Sequence, residues 1–551
     1  MTLVSGSPDL IIRNALVRTM VGEQTAQAVA IAGGTIQAVG DDAELLATAG
    51  PATEVVDAGG GTLLPSAIDS HTHFHRASVA RSLFLDFDDL QTSSVAEVIE
   101  AVAARAAALP EGSWIQGDNL RDNRLIERRW PVRQELDRVA PNHPVALRSL
   151  GKHLVAANSL ALRLAGIDRE TADPQGGRID RDAQGEPTGV LHETAKLRLD
   201  SARPDTIVPP VSTDDRLAAL REGIRLLQRH GVSTIHEIVT RPDEIADFQL
   251  LRERGELGVR VRYLVRAIEA QTSLDQLLAL GLRSGFGDDW IRFSGIKISV
   301  DGGCESRNAA LFDPYPGEPE NRGVIRVEQA ELDRLVERAD RGGIQVAIHA
   351  IGPRAADMAI TSYERAIGGR GNDRLHHRLE HAYVQGPRSH FERVKALDLV
   401  LSEQPGLINA SGDAWQQIFG EQGLISMMPL RTVLDMGIDV IANSDFPSTP
   451  LNPLLGIKGA VTRRSRTGAP IDLTQAITVH EAMRMMTSEA AWVTREGDVA
   501  GTIQPGRRAD LRLLDRDPYA CPPDELDAIG VRLTLLDGRA VHADAALAGV
   551  A

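Results

Sequence analysis

Two histidines, His71 and His73, stand in the motif HTHFH directly after an apolar run. On a β-strand, residues i and i+2 project to the same side, so both imidazoles face one way. Two imidazoles on one face at the end of a strand form a pincer that suits a divalent metal ion. A His-x-His pair alone is weak evidence for a metal site, because many such pairs are incidental.

Three further residues of ligand type end apolar, strand-like runs. His349 ends QVAIH, His381 lies in HRLEHA, and Asp445 lies in VIANSDF. Each residue taken alone is more often a satisfied histidine or a turn aspartate. Together they add two imidazoles and a carboxylate to His71 and His73, and such groups are costly to bury without partners. A metal ion would supply the partner.

The chain has only five lysines, and one of them, Lys297, lies within the apolar run FSGIKISVD. A buried ammonium group is costly unless it is neutralised. Reaction with carbon dioxide would convert this lysine to a carbamate, an anionic group able to bridge two metal ions. The alternative is an ion pair between Lys297 and Asp301 or another carboxylate.

These residues belong to strand-like runs that alternate with segments in which apolar residues recur at helical spacing. Eight strands are predicted, at 68–73, 233–237, 259–265, 293–300, 345–350, 377–382, 399–404 and 440–445. Strands that alternate with helices predict a parallel sheet with right-handed crossovers, and eight such units predict an α/β fold of the (β/α)8 TIM-barrel type. The ligand-type residues stand at strand ends, where barrel active sites are built.

Both ends of the chain have a β-rich pattern, including an Asp537-Gly538 pair between two apolar runs, which is typical of a hairpin. The two ends are predicted to pack together as a small β-sandwich, its N-terminal part at 1–62 and its C-terminal part at 491–551. The barrel is predicted at 63–490. The interval between the first two barrel strands is far too long for a loop, so an inserted subdomain is predicted at about 85–212.

The composition narrows the class of protein. Lys and Arg number 60 against 76 Asp and Glu, so the net charge of −16 disfavours nucleic acid as a partner. Hydrophobic residues make up 42%, which is typical of a globular protein. No apolar run approaches the roughly 18 residues that cross a bilayer, so no membrane association is expected. Two cysteines and no secretory signal predict a reducing, cytoplasmic location.

The order of the ligand-type residues resembles the amidohydrolase superfamily: HTH after the first strand, lysine on the fourth, histidines on the fifth and sixth, and aspartate on the eighth. Finer stretches resemble its YtcJ-like branch, amidohydrolase family 3, which includes N-substituted formamide deformylases. They run almost the whole length of the chain and include SWIQGDN, HLVAANSLALRLAGI, IKISVDG, AIHAIGPRAADMAI, HRLEHA, NSDFP and GTIQPGRRADLRLLDRDP. The resemblance implies a barrel, a β-sandwich from both termini, a metal site and an enzyme that hydrolyses C–N bonds other than peptide bonds.

By position, the resemblance implies one or two divalent metal ions, zinc being the expected one, and six ligands: His71, His73, Lys297, His349, His381 and Asp445. His71 and His73 would hold the first ion with Asp445. Lys297, as a carbamate, would bridge to a second ion. The residue types alone do not separate one ion from two, nor zinc from iron or manganese.

Two substrate-binding candidates also come from the resemblance. His153, in KHLVAANS, would face the barrel mouth and polarise the substrate carbonyl, with a structural role inside the insert as the alternative. Arg307 would bind a substrate carboxylate through its guanidinium fork, with a structural ion pair as the alternative. The chain departs from the family where Cys304-Glu305-Ser306-Arg307 replaces Leu-Gly-Ser-Arg, and Glu305 would bring a carboxylate near the site.

The predicted reaction is hydrolysis of a small-molecule amide by metal-activated water, with Asp445 as the base and then the acid. Ester or lactone hydrolysis, isomerisation and decarboxylation on the same metal platform are alternatives that fold alone does not decide. An inactive binding module is a further alternative, but its ligand set would be broken, whereas all six positions are filled here. The oligomeric state is left open, a homodimer being common in such families.

Overall fold

The computed structural model describes residues 6–87, 90, 92–149, 154–174, 176–199, 206–268, 273–384, 386–424 and 427–547. The chain divides into two compact units, one made of residues 1–74 with 223–551 and the other of residues 75–222. The second unit interrupts the first in the sequence, directly after the first barrel strand. The domain boundaries given above, at 1–62, 63–490 and 491–551 with an insert at about 85–212, stay predictions.

Eight parallel strands form the barrel of the first unit, and they are labelled here in chain order: β1 Ala67–Thr72, β2 Val232–Val239, β3 Arg260–Arg266, β4 Ile291–Ser299, β5 Gln345–His349, β6 Arg378–Glu380, β7 Val400–Glu403 and β8 Val440–Ala442. Each strand pairs in parallel with the next one along the chain. The predicted barrel and its eight strands are therefore confirmed.

The barrel nearly closes between β8 and β1, through the residues that follow the two strands. The backbone N–H of Asp445 donates to the carbonyl of His71 at 3.0 Å, and the N–H of His73 donates to the carbonyl of Phe446 at 2.9 Å. These bonds join the first and last strands at their carboxyl ends. They consequently hold the backbone of the two histidines beside that of the aspartate.

The helices of the first unit place apolar residues on the face that packs against the strands. The helix Gln329–Arg341, for example, buries Leu332, Leu335 and Val336, whose i, i+3, i+4 spacing puts them on one face. One further helix, Thr213–Arg229, begins in the second unit and ends in the first. The other helices of the first unit that follow it are Pro242–Glu253, Leu274–Ala279, Gln329–Arg341, Pro353–Ile367, Arg388–Ala396, Gly406–Leu424, Leu430–Asp435, Pro453–Thr462, Val479–Met485 and Ser488–Val493. Within the described ranges, no helix has both the length and the apolar character needed to span a membrane.

Both chain ends contribute to a six-stranded sheet, whose strands in spatial order are Arg539–Ala543, Val531–Leu536, Leu511–Leu514, Thr62–Pro65, Leu16–Arg18 and Thr25–Ala26. A second sheet has the order Thr35–Gly40, Ala28–Ala32, Leu10–Arg13 and Glu54–Asp57, with the short helix Asp42–Leu46 nearby in the sequence. Ile12 and Val29 of the second sheet share one apolar core with Leu63 and Leu513 of the first. The predicted sandwich built from both termini is confirmed.

The predicted hairpin at Asp537-Gly538 joins Val531–Leu536 to Arg539–Ala543 in antiparallel pairing. Both turn residues have positive φ, 50° at the aspartate and 70° at the glycine. A two-residue turn whose twist matches that of the flanking strands requires this conformation at both positions. Glycine adopts it without steric cost, and aspartate is one of the few other residues that tolerate it.

The second unit has its own six-stranded sheet, in the order Gly177–Arg181, Pro187–Glu193, Leu154–Ala157, Val145–Ser149, Ile115–Leu120 and Leu85–Asp86. The helices Phe74–Leu83, Val95–Ala108, Arg133–Val139 and Ser159–Ala165 accompany it. Val98 and Val102 pack with Ile115 and Leu147 in one apolar cluster. The long interval between the first two barrel strands thus contains a sheet with a core of its own.

One carboxyl group, that of Glu403 at the end of β7, is buried among apolar side chains of the outer helix layer. Glu403 is 2% exposed and lies beside Phe391, Leu430 and Val433. Its Oε2 atom has no hydrogen-bond partner among the described residues. Burial, with the Glu380 carboxylate as a second cause, raises the pKa of Glu403 to about 8, so this side chain is protonated in the folded protein at neutral pH.

We predict that Glu403→Gln stabilises the protein in a pH-dependent way. Between pH 4.5 and about 8 the folded state keeps a proton on Glu403 that the unfolded chain has lost, so wild-type stability falls as the pH rises through this window. The loss is at most about 1.4 kcal/mol per pH unit. Urea unfolding should therefore find the variant more stable than the wild type near pH 8, with a difference that shrinks towards pH 4.5. A difference that is constant with pH would contradict the prediction.

Candidate metal centre

The first group of ligand-type side chains meets where β8 closes on β1. Nε2 of His71 lies 3.5 Å from Oδ1 of Asp445, and Nε2 of His73 lies 3.6 Å from the same oxygen. The two imidazole rings face each other edge-on, with centroids 5.6 Å apart. Asp445 reaches this position with a left-handed backbone, at φ 48°. Two imidazoles and one carboxylate oxygen thus converge on one point.

The second group adjoins the first through His381, which directly follows β6. Its ring centroid lies 4.7 Å from that of His71 and 4.6 Å from that of His349 at the end of β5. The Nζ atom of Lys297, on β4, lies 3.4 Å from Nε2 of His381. The structure therefore brings together all six side chains predicted as ligands, and their roles as ligands stay predictions.

The free nitrogen and oxygen atoms of this cluster are of the kind that a divalent cation binds. Nε2 of His71, Nε2 of His349 and Oδ1 of Asp445 are buried, and none has a hydrogen-bond partner in the described part of the chain. The opposite ring nitrogen of His381 is already engaged, since Nδ1 lies 2.8 Å from Oε1 of Gln404. Buried polar atoms of this kind carry a free-energy cost unless something pairs with them. The residues present therefore fit a metal ion.

Burial also keeps the imidazoles in the neutral form that binds metals. It lowers the pKa of His71 to about 3, with the Lys297 charge as the second cause. Burial, again followed by the Lys297 charge, lowers the pKa of His349 and of His381 well below the usual value. A neutral imidazole keeps the lone pair with which it coordinates a cation.

Lys297 and Asp445 form the titrating pair of the cluster. Burial lowers the pKa of the Lys297 amine to about 7, against the opposing effect of the Glu380 and Asp445 carboxylates. Burial likewise raises the pKa of Asp445 to about 7, against the effect of Lys297. The alternative ion pair of Lys297 with Asp301 is not what the structure has. The Asp301 carboxylate instead accepts the backbone N–H groups of Ala310, Ile351 and Gly352.

Sequence reasoning missed the group that orients His71. The Nδ1 atom of His71 lies 2.5 Å from Oε2 of Glu380, and both side chains are buried. The Nε of Arg378 donates to the other carboxylate oxygen of Glu380 at 2.6 Å. Although burial acts in the opposite direction, Arg378 and then Lys297 and His71 hold the pKa of Glu380 well below its usual value. Glu380 is thus an anion that accepts a hydrogen bond from the Nδ1–H group of His71, which leaves Nε2 of His71 free for a metal.

A signal for this pair was present in the sequence. Arg378 and Glu380 are two residues apart in HRLEHA, so on a barrel strand they share a face and pair inside the barrel. His381 follows on the other parity, and it joins the cluster only because its backbone turns to φ 67° where the strand ends. Alternation along the strand therefore predicts that the side chain of Glu380 points into the barrel, but it does not predict where the side chain of His381 points.

The two substrate-binding candidates have different outcomes. His153 lies outside the described residues, so its role at the substrate oxygen stays a prediction. The guanidinium of Arg307 forms an ion pair with Glu318, and its backbone has φ 55°. Glu318 also accepts a hydrogen bond from Nδ2 of Asn321 at 2.6 Å. The positive charge of Arg307 is thus paired with Glu318, and its role in binding a substrate carboxylate stays a prediction.

Comparison with known proteins agrees with this geometry. The family model described as "Amidohydrolase family" (Amidohydro_3) matches residues 54–542. An N-substituted formamide deformylase of Arthrobacter pascens is 32% identical over 539 residues, which are 96% of this chain and 97% of the relative. The putative amidohydrolase YtcJ of Bacillus subtilis is 30% identical over 95% of this chain and 96% of its own. A crystal structure of an uncharacterized metal-dependent hydrolase from Pyrococcus furiosus has a TM-score of 0.74 at 25% identity, covering 93% of this chain and 99% of that one.

We predict that Glu380→Gln weakens metal binding by about 10- to 100-fold, because the uncharged amide orients His71 less strongly than the carboxylate does. The affinity is measured by competition with a chromophoric chelator, and circular dichroism checks the fold. Glu403→Gln is the matched control. It also removes the carboxylate of a buried glutamate, on the next strand, β7, but within the described ranges Glu403 forms no side-chain hydrogen bond or ion pair with any of the six proposed ligands. Equal metal affinity in wild type and Glu380→Gln would show that the hydrogen bond does not position His71.

Proposed function

The chain belongs to the amidohydrolase family, and from that premise we propose that it is a metal-dependent enzyme that hydrolyses an N-substituted formamide or a closely related amide. The observation that carries the proposal is the convergence, on one side of the barrel, of buried Nε2 and Oδ1 atoms from His71, His349 and Asp445 that have no hydrogen-bond partner in the described part of the chain. The substrate class is supported by the deformylase relative, which matches nearly the whole chain. Formate and a primary amine are the proposed products.

Two groups of residues would hold the metal. His71, His73 and Asp445 would hold one ion, and His349 and His381 would hold a second one. Nitrogen and carboxylate ligands of this kind suit zinc, which is the ion we propose. A divalent ion, when bound, supplies Lewis-acid activation of water and of the substrate carbonyl. The proposed location is a reducing compartment, the cytoplasm, where the free thiols of Cys304 and Cys521 stay reduced.

Lys297 is proposed to carry a carbamate. Its neutral amine attacks the carbon of carbon dioxide, a new N–C bond forms, one C–O electron pair becomes the carboxylate charge, and the amine releases one proton. Burial lowers the pKa of Lys297, which favours the neutral amine that reacts with carbon dioxide. The carbamate extends the side chain towards His381, the residue that Nζ already approaches. After burial, the ammonium form of Lys297 is the second cause that lowers the pKa values of the neighbouring histidines, by like-charge repulsion. The negative charge of the carbamate offsets that effect.

Asp445 is proposed to carry the proton during hydrolysis. It accepts a proton from the attacking water while the new C–O bond forms at the substrate carbonyl. It then delivers that proton to the leaving nitrogen as the C–N bond breaks, so that an amine departs and an acid remains. A carboxyl group whose pKa is raised to about 7 suits both steps near neutral pH. The hydrogen bond from Ser448 to its Oδ2 atom, at 3.1 Å, leaves Oδ1 directed at the histidines.

The proposal is tested with zinc-loaded enzyme and a panel of N-alkylformamides, matched acetamides, alkyl esters and lactones. We expect release of formate from the formamides in preference to hydrolysis of the esters and lactones. Asp445→Asn should lower kcat by about 100- to 10,000-fold, because the amide cannot carry the proton. The control is Asp435→Asn, a change to an exposed aspartate of the same region of the chain.

Two outcomes would overturn this proposal. Turnover of esters or lactones with none of the amides would assign the centre to a different reaction. Wild-type activity in Asp445→Asn would remove the aspartate from the proton transfer.

We also predict that Lys297→Ala lowers the zinc content of purified protein, because the bridging anion is lost. Added acetate or propionate should restore part of the zinc content by occupying the space of the missing carbamate. Elemental analysis of dialysed protein measures both effects. Lys458→Ala, which removes a lysine paired with Asp527, is the matched control and should keep its zinc. A full zinc content in Lys297→Ala without added carboxylate would remove the bridge from the proposal.

A further inference from the structure

Glu305 lies in the connection after β4, and that connection is anchored at the carboxyl end of the barrel. The anchor is Asp301, which is fully buried. Its Oδ2 atom accepts the backbone N–H groups of Ala310 and Gly352, each at 2.8 Å, and its Oδ1 atom accepts that of Ile351 at 3.0 Å. The segment that carries Glu305 is therefore held on the side of the barrel where the candidate metal centre lies.

The carboxylate of Glu305 accepts a hydrogen bond from Trp415, which itself packs against Tyr383. Nε1 of Trp415, in the helix that follows β7, donates to Oε1 of Glu305 at 3.1 Å. Trp415 is fully buried and stacks on Tyr383, with ring centroids 5.2 Å apart and planes inclined by 28°. Tyr383 comes two residues after His381. Residues of the connections after β4, β6 and β7 thus meet at Trp415, the side chain that holds the carboxylate.

The same tyrosine connects Glu305 to the candidate metal centre. Tyr383 comes two residues after His381, and its backbone N–H donates to the carbonyl of that histidine. Its ring stacks on the indole that donates to Glu305. The carboxylate of Glu305 is thus linked to a proposed metal ligand through two aromatic rings.

Glu305 has no ion-pair partner among the described residues. It is exposed, and no arginine or lysine of the described ranges lies within ion-pair distance of it. Arg307, two residues further on, is paired with Glu318. Arg326, on the same connection, is instead close enough to Asp301 and His349 to affect both. Burial is the main influence on their pKa values, and the charge of Arg326 acts to lower them. The side chain that this connection places beside Trp415 is therefore a carboxylate with no counter-charge in the described part of the chain.

We propose that Glu305 is a specificity-determining residue that binds a positively charged group of the substrate, such as a protonated amine, at the end remote from the scissile C–N bond. The inference rests on the proposed hydrolysis of an amide and names the class of substituent on its nitrogen. Oε1 stays with Trp415, and Oε2 accepts the N–H of the substrate cation as a charge-assisted hydrogen bond. Substrates with a carboxylate at that end are disfavoured by like-charge repulsion.

The test compares three formamides of matched length: N-(5-aminopentyl)formamide, N-hexylformamide and 6-formamidohexanoate. The wild type should prefer the cationic compound over the neutral one in kcat/KM, and the anionic compound should be the poorest. Glu305→Gln keeps the acceptor for Trp415 but removes the charge, so the preference for the cationic over the neutral compound should fall by about 3- to 10-fold. Glu305→Lys should reverse the order of the charged compounds.

The control and a second measurement separate this inference from the proposed function. Glu320→Gln makes the same change in net charge on the same connection and should leave the preference unaltered. Dissociation constants of the three compounds are also measured by calorimetry in the Asp445→Asn background, where binding does not depend on turnover. Charge-dependent binding without turnover in the wild type would refute the proposed reaction and support the role of Glu305. Equal affinity for the cationic and neutral compounds, or no binding of the cationic one, would overturn that role.

Discussion

The hydrogen bond between His71 and Glu380 is the interaction on which the candidate centre depends. It joins an imidazole and a carboxylate that are both fully buried, and Arg378 neutralises the carboxylate from behind. Buried charges are tolerated only when they are paired and hydrogen-bonded, so this chain of three side chains has one stable arrangement. That arrangement leaves Nε2 of His71 directed at Asp445 with no other partner in the described part of the chain. The hydrogen bonds inside the barrel thus determine which ring nitrogen of His71 would face the cation.

The closure of the barrel supplies the second constraint. Hydrogen bonds between the ends of β8 and β1 place the backbone of Asp445 beside that of His71, and the side chains then meet within 3.6 Å. Both Asp445 and His381 adopt a left-handed backbone, at φ 48° and 67°, which costs about 1 to 2 kcal/mol for each residue. Two unfavourable conformations, after β6 and after β8, concentrate strain where ligand atoms converge, as strained backbone commonly does at functional sites.

Much of this architecture can be predicted from the sequence, because the spacing of apolar residues and the order of the ligand-type residues are visible without coordinates. The eight strands, the sandwich from both ends and the convergence of six side chains follow from apolar runs that end in His, Lys or Asp. The pairing of Arg307 with Glu318 does not, because it depends on how one long connection folds back on itself. Strand alternation also fails to predict the position of His381, since it places this side chain on the face opposite to Glu380, whereas the left-handed φ brings it into the same cluster. Local periodicity therefore predicts strands better than it predicts their ends.

The residues proposed for the reaction and those proposed for substrate selectivity stand in different parts of the barrel. The proposed ligands stand on strands or directly after them, where backbone pairing leaves little freedom, so the centre can serve one chemistry with many substrates. Glu305, Trp415 and Tyr383 stand on connections between strands, where Trp415 contacts both of the other side chains. A change of one charge there alters which molecule is held without disturbing the hydrogen bonds around His71. Selectivity in this barrel can consequently change by substitution in a connection while the interior network of Glu380 and Arg378 stays the same.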